Sequence, residues 1–172
     1  QAKHSGKYLS VEGRRTDGGA PLVQSALSGA SHQRFELIHH GSGEFSLSLR
    51  HTGMMADVTG QSLSAGTAII QWPSNDRDNQ RFRIEPIGDG YHRMVGKQSG
   101  LALDVAGSGQ DDGVRVLQWT RTNNDNQCWR FIPVEQIFTV NLSVLVHIGE
   151  IGDCKFGSDQ VAGRDGNHIE GL

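Results

Sequence analysis

This 172-residue sequence has few cysteines, no long apolar run and little excess of charge of either sign. Its two cysteines are too few for a disulfide scaffold and lack the spacing of metal ligands. No apolar run approaches the roughly 18 residues that cross a bilayer, which argues against membrane insertion. A net charge of −3, with basic residues scattered among acids, argues against nucleic acid as a partner. The start, Gln1-Ala2-Lys3-His4, has no signal-peptide pattern and is expected to be a mature or trimmed end.

Glycine, by contrast, is abundant. There are 23 glycines, while apolar residues make up only 35% of the chain. Many short strands joined by glycine-rich turns produce such a composition, whereas long helices do not. The length suffices for one domain and an appendage, but not for two full domains.

A unit of 47 residues occurs three times. The tripeptides Gln33-Arg34-Phe35, Gln80-Arg81-Phe82 and Gln127-Cys128-Trp129 are separated by 80 − 33 = 47 and 127 − 80 = 47 residues. The same offset relates Gly6, Gly53 and Gly100, then Val11, Val58 and Val105, and then Gln24, Gln71 and Gln118. A fixed period in this range is typical of a repeat architecture.

Each unit has the pattern of short strands between turns. In the third unit, residues 101–105, 114–119 and 127–131 are apolar or alternating runs, and residues 91–95 predict a fourth strand. Three such units in a linear stack would leave open edges, whereas closure into a three-fold barrel removes most of them. The sequence therefore predicts an all-β fold, a β-trefoil over residues 1–136. We name its units copy one (about 1–38), copy two (39–86) and copy three (87–133).

Four motifs at fixed spacing in copy three point to a known family. They are Leu103-Asp104-Val105, Asp112-Gly113, Gln118-Trp119 and Asn126-Gln127-Cys128-Trp129. This set resembles the ricin-type lectin repeat, with its Leu-Asp-Val opening and its Gln-x-Trp close, over residues 1–133. The resemblance implies a β-trefoil in which each copy can hold one shallow sugar pocket, without metal, cofactor or catalysis.

The resemblance places sugar contacts in copies two and three. The candidate carbohydrate-binding residues are Asp57, Trp72, Asn79 and Gln80 in copy two, and Asp104, Trp119, Asn126 and Gln127 in copy three. A carboxylate accepts from neighbouring sugar hydroxyls, an amide both donates and accepts, and an indole covers the C–H patch of the ring. Copy one has Ser10, Ser25 and His32 in place of Asp, Trp and Asn, so it is expected to be structural.

Several of these residues have structural alternatives. The two tryptophans share a strand face with apolar neighbours and could belong to the core, although Ser25 at the same position in copy one argues against it. The two aspartates could instead organise turns. Because Gln33 is retained in copy one, a structural hydrogen bond is the favoured role of Gln80 and Gln127.

Phe35, Phe82 and Trp129 occupy one position of the repeat and are predicted core residues. Alternation along the predicted strand 127–131 points Cys128 away from the core. A disulfide from Cys128 to Cys154 would pin the C-terminal segment to copy three, and an extracellular setting permits it.

Residues 137–172 leave the repeat and are predicted to be a β-rich tail or a truncated second module. Adding 47 to 91–95 gives an alternating strand at 138–142, which could take the place of a strand that copy one lacks before Ser5. Further on, His147, Gly152, Phe156 and Gly163 give the tail a faint similarity to the clostridial hydrophobic-Trp repeat, but that pattern's two Trp positions hold Asp153 and Phe156.

The resulting hypothesis is a secreted, non-catalytic lectin for terminal galactose- or N-acetylgalactosamine-type sugars. Its partners would be glycans, together with a tethered second module or further copies of itself. One alternative is the targeting module of a polysaccharide-degrading enzyme or toxin. A second is a protein-binding trefoil, for which the sequence offers neither an exposed reactive loop nor an apolar patch. The sequence also offers no Ser/His/Asp or Cys/His set for catalysis.

Overall fold

The structure is a computed structural model, and it describes residues 1–134. Within that range it contains strands and short 3-10 turns but no α-helix, and no helix there is long and apolar enough to cross a membrane. The strands, numbered in chain order, are β1 (Tyr8–Val11), β2 (Leu22–Ser25), β3 (Phe35–Gly41), β4 (Glu44–Leu49), β5 (Met55–Val58), β6 (Ile69–Trp72), β7 (Phe82–Gly88), β8 (Tyr91–Gly96), β9 (Ala102–Val105) and β10 (Val116–Trp119).

Each copy contributes one short antiparallel hairpin. These hairpins are β1–β2, β5–β6 and β9–β10, and each is followed by a loop and a 3-10 turn. Two longer hairpins, β3–β4 and β7–β8, lead from one copy to the next, and β4 also pairs with β7. This is the β-trefoil that the repeat period and the strand count predict, so the predicted fold class is confirmed.

Strand pairing joins the beginning of the chain to copy three. Ala2 forms an antiparallel bridge with Trp129, at the repeat position where Leu49 pairs with Phe35. The first residues of the chain therefore occupy the end of the strand that copy one was expected to lack. The strand predicted at 138–142 and the tail from 137 onward lie outside the described residues.

Apolar side chains from all three copies form the core. Phe82 and Trp129 are 1% and 2% exposed, and the Trp129 indole N–H donates to the Leu103 carbonyl at 3.2 Å. Phe35 is only half-buried but packs against the same cluster. The predicted core role of these three aromatic residues is confirmed.

A buried glutamine from each copy fastens it to the copy before it. The side-chain amide of Gln71 donates to the Arg15 and Asp17 carbonyls of copy one, at 3.0 and 2.8 Å. Gln118 reaches copy two in the same way, and Gln24 reaches copy three. All three glutamines are at most 1% exposed. Their bonds form a closed cycle, which explains why glutamine recurs at this position whether or not the copy keeps its other motif residues.

Two local predictions in copy three are wrong. Asp125–Gln127 is a 3-10 turn rather than the start of a strand, and the pairing residue is Trp129. Cys128 is buried, at 4% exposure, instead of pointing away from the core. Its thiol lies 3.5 Å from the Asn124 carbonyl, so the turn covers the face that strand alternation would have left open. Cys154 lies outside the described residues, and the disulfide stays a prediction that thiol titration of the denatured, unreduced protein can check.

Candidate functional site

The hairpins and turns of copies two and three bring the predicted residues together. In copy two, Asp57 on β5 pairs with Ile70 on β6, and Trp72 follows two residues later on the same face. Asn79 and Gln80 lie in the 3-10 turn Asp78–Gln80, which packs beside β5. Copy three repeats this arrangement with Asp104 on β9, Trp119 on β10 and the turn Asp125–Gln127.

The Asp57 carboxylate is held through one of its two oxygens. Oδ2 accepts hydrogen bonds from the amides of Gln80 at 2.7 Å, Asn79 at 2.9 Å and Asn75 at 3.5 Å. Oδ1 has no hydrogen-bond partner among the described residues. Every donor to this carboxylate is a side-chain amide rather than a backbone N–H, so it does not organise a turn. The arrangement fixes the carboxylate and leaves one oxygen for an incoming donor.

In copy three, Asp104 is also held through Oδ2, but by a single amide. Its Oδ2 accepts from the Gln127 amide at 2.8 Å, and that amide also donates to the Thr120 carbonyl at 2.8 Å. Gln127 is fully buried, as Gln80 nearly is, so both glutamines hold the carboxylate and its loop in place. Their contacts match the structural role that Gln33 suggested, and within the site they act as positioning residues.

Burial raises the pKa of both aspartates above the ordinary aspartate value. Hydrogen bonds from the Gln80 and Asn79 amides to Asp57, and from the Gln127 amide to Asp104, oppose this shift but do not cancel it. A nearby His4 also lowers the pKa of Asp104. The carboxylates thus carry a desolvation penalty that a bound hydrogen-bond donor would offset.

Trp72 and Trp119 are each 45% exposed, which excludes a core role. Each indole lies against a glycine of the preceding copy. A Cβ on Gly18 would come within 3.2 Å of the Trp72 ring, and one on Gly66 within 3.3 Å of the Trp119 ring. Both contacts are tighter than a side chain tolerates easily, so glycine lets the backbone support the ring while nearly half of the indole stays exposed.

A surface pocket in copy three contains three of the four predicted residues. Its lining consists of Asp104, Ala106, Gly107, Ser108, Leu117, Trp119, Thr122, Asn124 and Asn126. Asn126 donates to the Val105 carbonyl at 3.0 Å, and its Oδ1 is buried without a donor among the described residues. A buried acceptor of this kind calls for a partner. The pocket therefore presents a carboxylate oxygen and an indole, and the Asn126 side chain forms part of its lining.

Copy one keeps the frame of this site but not its chemistry. Gln33 donates to the Ala26 carbonyl at 2.8 Å, as Gln80 does to Pro73 at 2.9 Å. Its second bond goes to the Ser25 hydroxyl at 2.8 Å, because Ser10 offers no carboxylate. The aspartate, tryptophan and asparagine of copies two and three are absent from this copy.

Sequence reasoning missed the loop that completes the pocket. The turn Ala106–Ser108 and the side chains of Thr122 and Asn124 line it, and His4 from copy one lies near Asp104. The glycine at 13, 60 and 107 was visible as a repeat position, and its positive φ of 58°, 62° and 59° shapes this turn in each copy. The sequence of copy three could not predict the approach of His4, because His4 belongs to copy one at the other end of the chain.

Comparison with known families agrees with this geometry. Residues 1–72 and 73–146 match the family described as "Ricin-type beta-trefoil lectin domain-like". The chain belongs to this family, whose fold is that of carbohydrate-binding proteins. No curated protein matches the chain.

Solved structures with the same fold include both free-standing proteins and parts of larger ones. The designed three-fold symmetric protein ThreeFoil is 40% identical, with a TM-score of 0.76 over 77% of this chain and 95% of its own. An exo-β-1,3-galactanase from Clostridium thermocellum is 32% identical, with a TM-score of 0.76 over 77% of this chain but only 29% of the enzyme. The Rhizoctonia solani agglutinin, at 17% identity and a TM-score of 0.69 over 77% of this chain and 90% of its own, shares the fold.

Proposed function

We propose that this protein is a non-catalytic lectin with two shallow sugar pockets, one in copy two and one in copy three. One observation carries the proposal: in both copies a buried carboxylate is clamped through Oδ2, keeps Oδ1 unpaired among the described residues, and shares a strand face with a half-exposed indole. The direct contacts would be Asp57, Trp72 and Asn79 in one pocket and Asp104, Trp119 and Asn126 in the other.

A sugar ring suits this arrangement for physical reasons. Its hydroxyls are donors that Oδ1 can accept, and a charged acceptor makes the stronger hydrogen bond. The C–H face of the ring is apolar and packs on an indole. Asn126 lines the copy-three pocket, and its amide group can both donate to and accept from a sugar hydroxyl.

Terminal galactose- or N-acetylgalactosamine-type sugars are the proposed ligands. An axial hydroxyl enlarges the C–H patch on one face of the ring, and stacking on tryptophan favours that patch. The likeness to part of an exo-β-1,3-galactanase supports the same sugar class. We further propose a secreted protein, since such glycans are displayed outside cells.

A second candidate is the targeting module of a larger polysaccharide-degrading enzyme. It is favoured by the galactanase comparison, in which this chain covers only 29% of the enzyme. The pocket chemistry would be the same and only the parent protein would differ. In either case the open pockets would bind single sugars weakly, with a Kd of about a millimolar or somewhat below. Useful affinity would come from two pockets on one rigid body, from a tethered module or from self-association.

Isothermal calorimetry with methyl β-galactoside tests the proposal. We expect a stoichiometry near two, falling to one in Asp57→Asn and in Asp104→Asn, because each substitution keeps the shape but removes the charged acceptor. Ser25→Ala in copy one is the matched control and should leave the stoichiometry unchanged. A stoichiometry of three, or an unchanged value in both aspartate variants, would contradict the two-pocket assignment.

A further inference from the structure

Copy one has a position equivalent to each residue that lines the pocket of copy three. Subtracting 2 × 47 = 94 places Ser10 at the position of Asp104, Arg14 at that of Ser108 and His32 at that of Asn126. The backbone is also equivalent, since Arg14 and Ser108 have φ values of 56° and 53°. A negatively charged pocket position has thus become neutral, and two basic side chains have entered.

His32 is the unusual member of this group. The residue is only 7% exposed, and no hydrogen bond joins its ring to another group within residues 1–134. The asparagine at the same position in copy two donates to Asp57 at 2.9 Å, and the one in copy three donates to the Val105 carbonyl at 3.0 Å. Neither nitrogen of the His32 ring is among the fully enclosed polar atoms, so both remain open to solvent. The imidazole can therefore bind a group that the chain itself does not supply.

The charges around His32 define what that group would be. Arg14 makes no ion pair within the described part of the chain, whereas the carboxylates of Glu12 and Asp17 pair with Arg15. Burial and then the charges of Arg14 and His51 lower the pKa of His32. The guanidinium of Arg14 has no carboxylate partner of its own among the described residues, which favours an anion as its ligand.

We propose that copy one is a third binding site, specific for the carboxylate of an acidic monosaccharide. The Arg14 guanidinium would take the carboxylate through paired N–H donors, and His32 would donate from the buried side. Ser10 carries no charge to repel the anion, as Asp57 and Asp104 would in the other copies. Ser25 in place of tryptophan leaves open the space that the indole occupies there.

Proton uptake would accompany binding at this site. An anion beside His32 opposes the burial and the cationic neighbours that lower its pKa, so the bound state raises the pKa of His32. Glu12 also lies on this turn, but its carboxylate is 3.9 Å from the Arg15 guanidinium. We therefore expect galacturonate to bind more tightly at pH about 5.5 than at about 7.5, across the usual histidine range.

Histidine-ring NMR of the full chain with galacturonate tests the site directly. The expected result is a saturable shift of the His32 signals and a raised His32 pKa, with no such effect from the neutral methyl ester of galacturonate. Arg14→Gln should weaken galacturonate binding about tenfold or more, through loss of the charged paired donors. Glutamine suits this backbone, since Gln61 has a φ of 56° at the equivalent position of copy two.

Further variants and ligands separate this proposal from the two neutral-sugar pockets. Asp57→Asn with Asp104→Asn should abolish galactoside binding and leave the His32 response to galacturonate intact. The proposal is overturned if His32 does not respond, if the methyl ester or plain acetate produces the same response at the same concentration, or if only the double aspartate variant removes it. Unfolding curves of all variants are the control for folding.

Discussion

Copy one and copy three share the hydrogen bonds that hold the fold together, but they differ in the side chains at the positions that line the copy-three pocket. Gln24 and Gln118 are both buried and both fasten their copy to the preceding one. Yet where copy three has the carboxylate of Asp104, copy one has the hydroxyl of Ser10 and a basic surrounding. Different positions of the repeat therefore hold the fold together and line the candidate site, so one copy can lose the acidic and aromatic side chains while the trefoil still closes.

Two tryptophans that lie ten residues apart in copy three test this division most strongly. Trp129→Ala should lower the free energy of unfolding by about 3–5 kcal/mol, because it empties a core position that is 2% exposed. Trp119→Ala removes an indole that is 45% exposed and should cost about 1 kcal/mol or less. Denaturant unfolding of both variants is the measurement.

The sugar affinities of the same two variants complete the test. Trp119→Ala should weaken binding in copy three by about 1–3 kcal/mol while copy two is unaffected. Trp129→Ala should lose both pockets only under conditions in which the domain unfolds. Equal destabilisation by the two substitutions would make Trp119 a core residue and would remove the basis for Trp72 as well.

The glutamine cycle gives the next largest effect. Gln118→Leu leaves the Ser62 and Ser64 carbonyls without their donor and should cost about 2 kcal/mol or more. Gln24→Leu is the matched variant in copy one, and it should cost a similar amount because Gln24 makes equivalent bonds to Gly109 and Asp111. If Gln24→Leu were close to neutral in thermal unfolding, copy one would not share the frame that we assign to all three copies.

The sequence predicted the trefoil and the residues of the candidate site, but not how those residues contact one another. The fixed offset of 47 identified the trefoil, since closure requires three equivalent units. It could not show that Gln127 bonds Asp104, because residues 23 positions apart meet only through the turn that precedes Trp129. The burial of Cys128 was mispredicted for the same reason, as strand alternation does not continue into a 3-10 turn.

Contacts between copies are also hidden from a comparison of repeats. His4 of copy one lies near Asp104, and His51 of copy two lies near His32, so in both cases a residue of the next copy in the cycle approaches the position. Alignment of the repeats shows what occupies each position, but it does not show which position of another copy faces it. The orphaned buried atoms Oδ1 of Asn126 and Nδ1 of His4 are likewise visible only in three dimensions.

Rebuilding copy one would sharpen the comparison further. The triple variant Ser10→Asp, Ser25→Trp and His32→Asn should raise the galactoside stoichiometry from two toward three. Gln33 already donates to Ala26 as Gln80 does to Pro73, so its amide is in place to hold a carboxylate at position 10. Gly113 has nothing within 4 Å of a Cβ and leaves room for the new indole.

Calorimetry with methyl β-galactoside and with galacturonate reads out this conversion. Ser25→Trp alone is the control, because it adds the indole without the acceptor and should not create a galactoside site. The triple variant should also lose the galacturonate response that we assign to His32. A folded triple variant that still binds two galactosides would show that pocket chemistry depends on more than these three positions.

A drop to acidic pH should have the smallest effect. It should lower the affinity for galactoside and raise the contribution of Asp57 and Asp104 to folding stability. Burial raises the pKa of Asp57 and Asp104, so protonation of these carboxyls begins above about pH 3.9, the ordinary value for aspartate. Galactoside affinity should therefore fall as the pH drops through the raised pKa, because the protonated carboxyl is a weaker acceptor. The charged form is the one that burial penalises, so folding stability changes the other way.

Asp104→Asn separates these two trends. In the folded state Asp104 keeps its proton to a higher pH than in the unfolded state, so its contribution to stability declines as the pH rises from about 3.9 through the raised pKa. Relative to Asp104→Asn, the unaltered protein should therefore lose free energy of unfolding over that window while its copy-three pocket gains affinity. Ser10 in copy one has no group that titrates in this range. The difference in free energy of unfolding between Ser10→Ala and the unaltered protein should therefore not depend on pH. Parallel trends in affinity and stability would mean that the Asp104 pKa is lowered by folding, against the desolvation that its burial imposes.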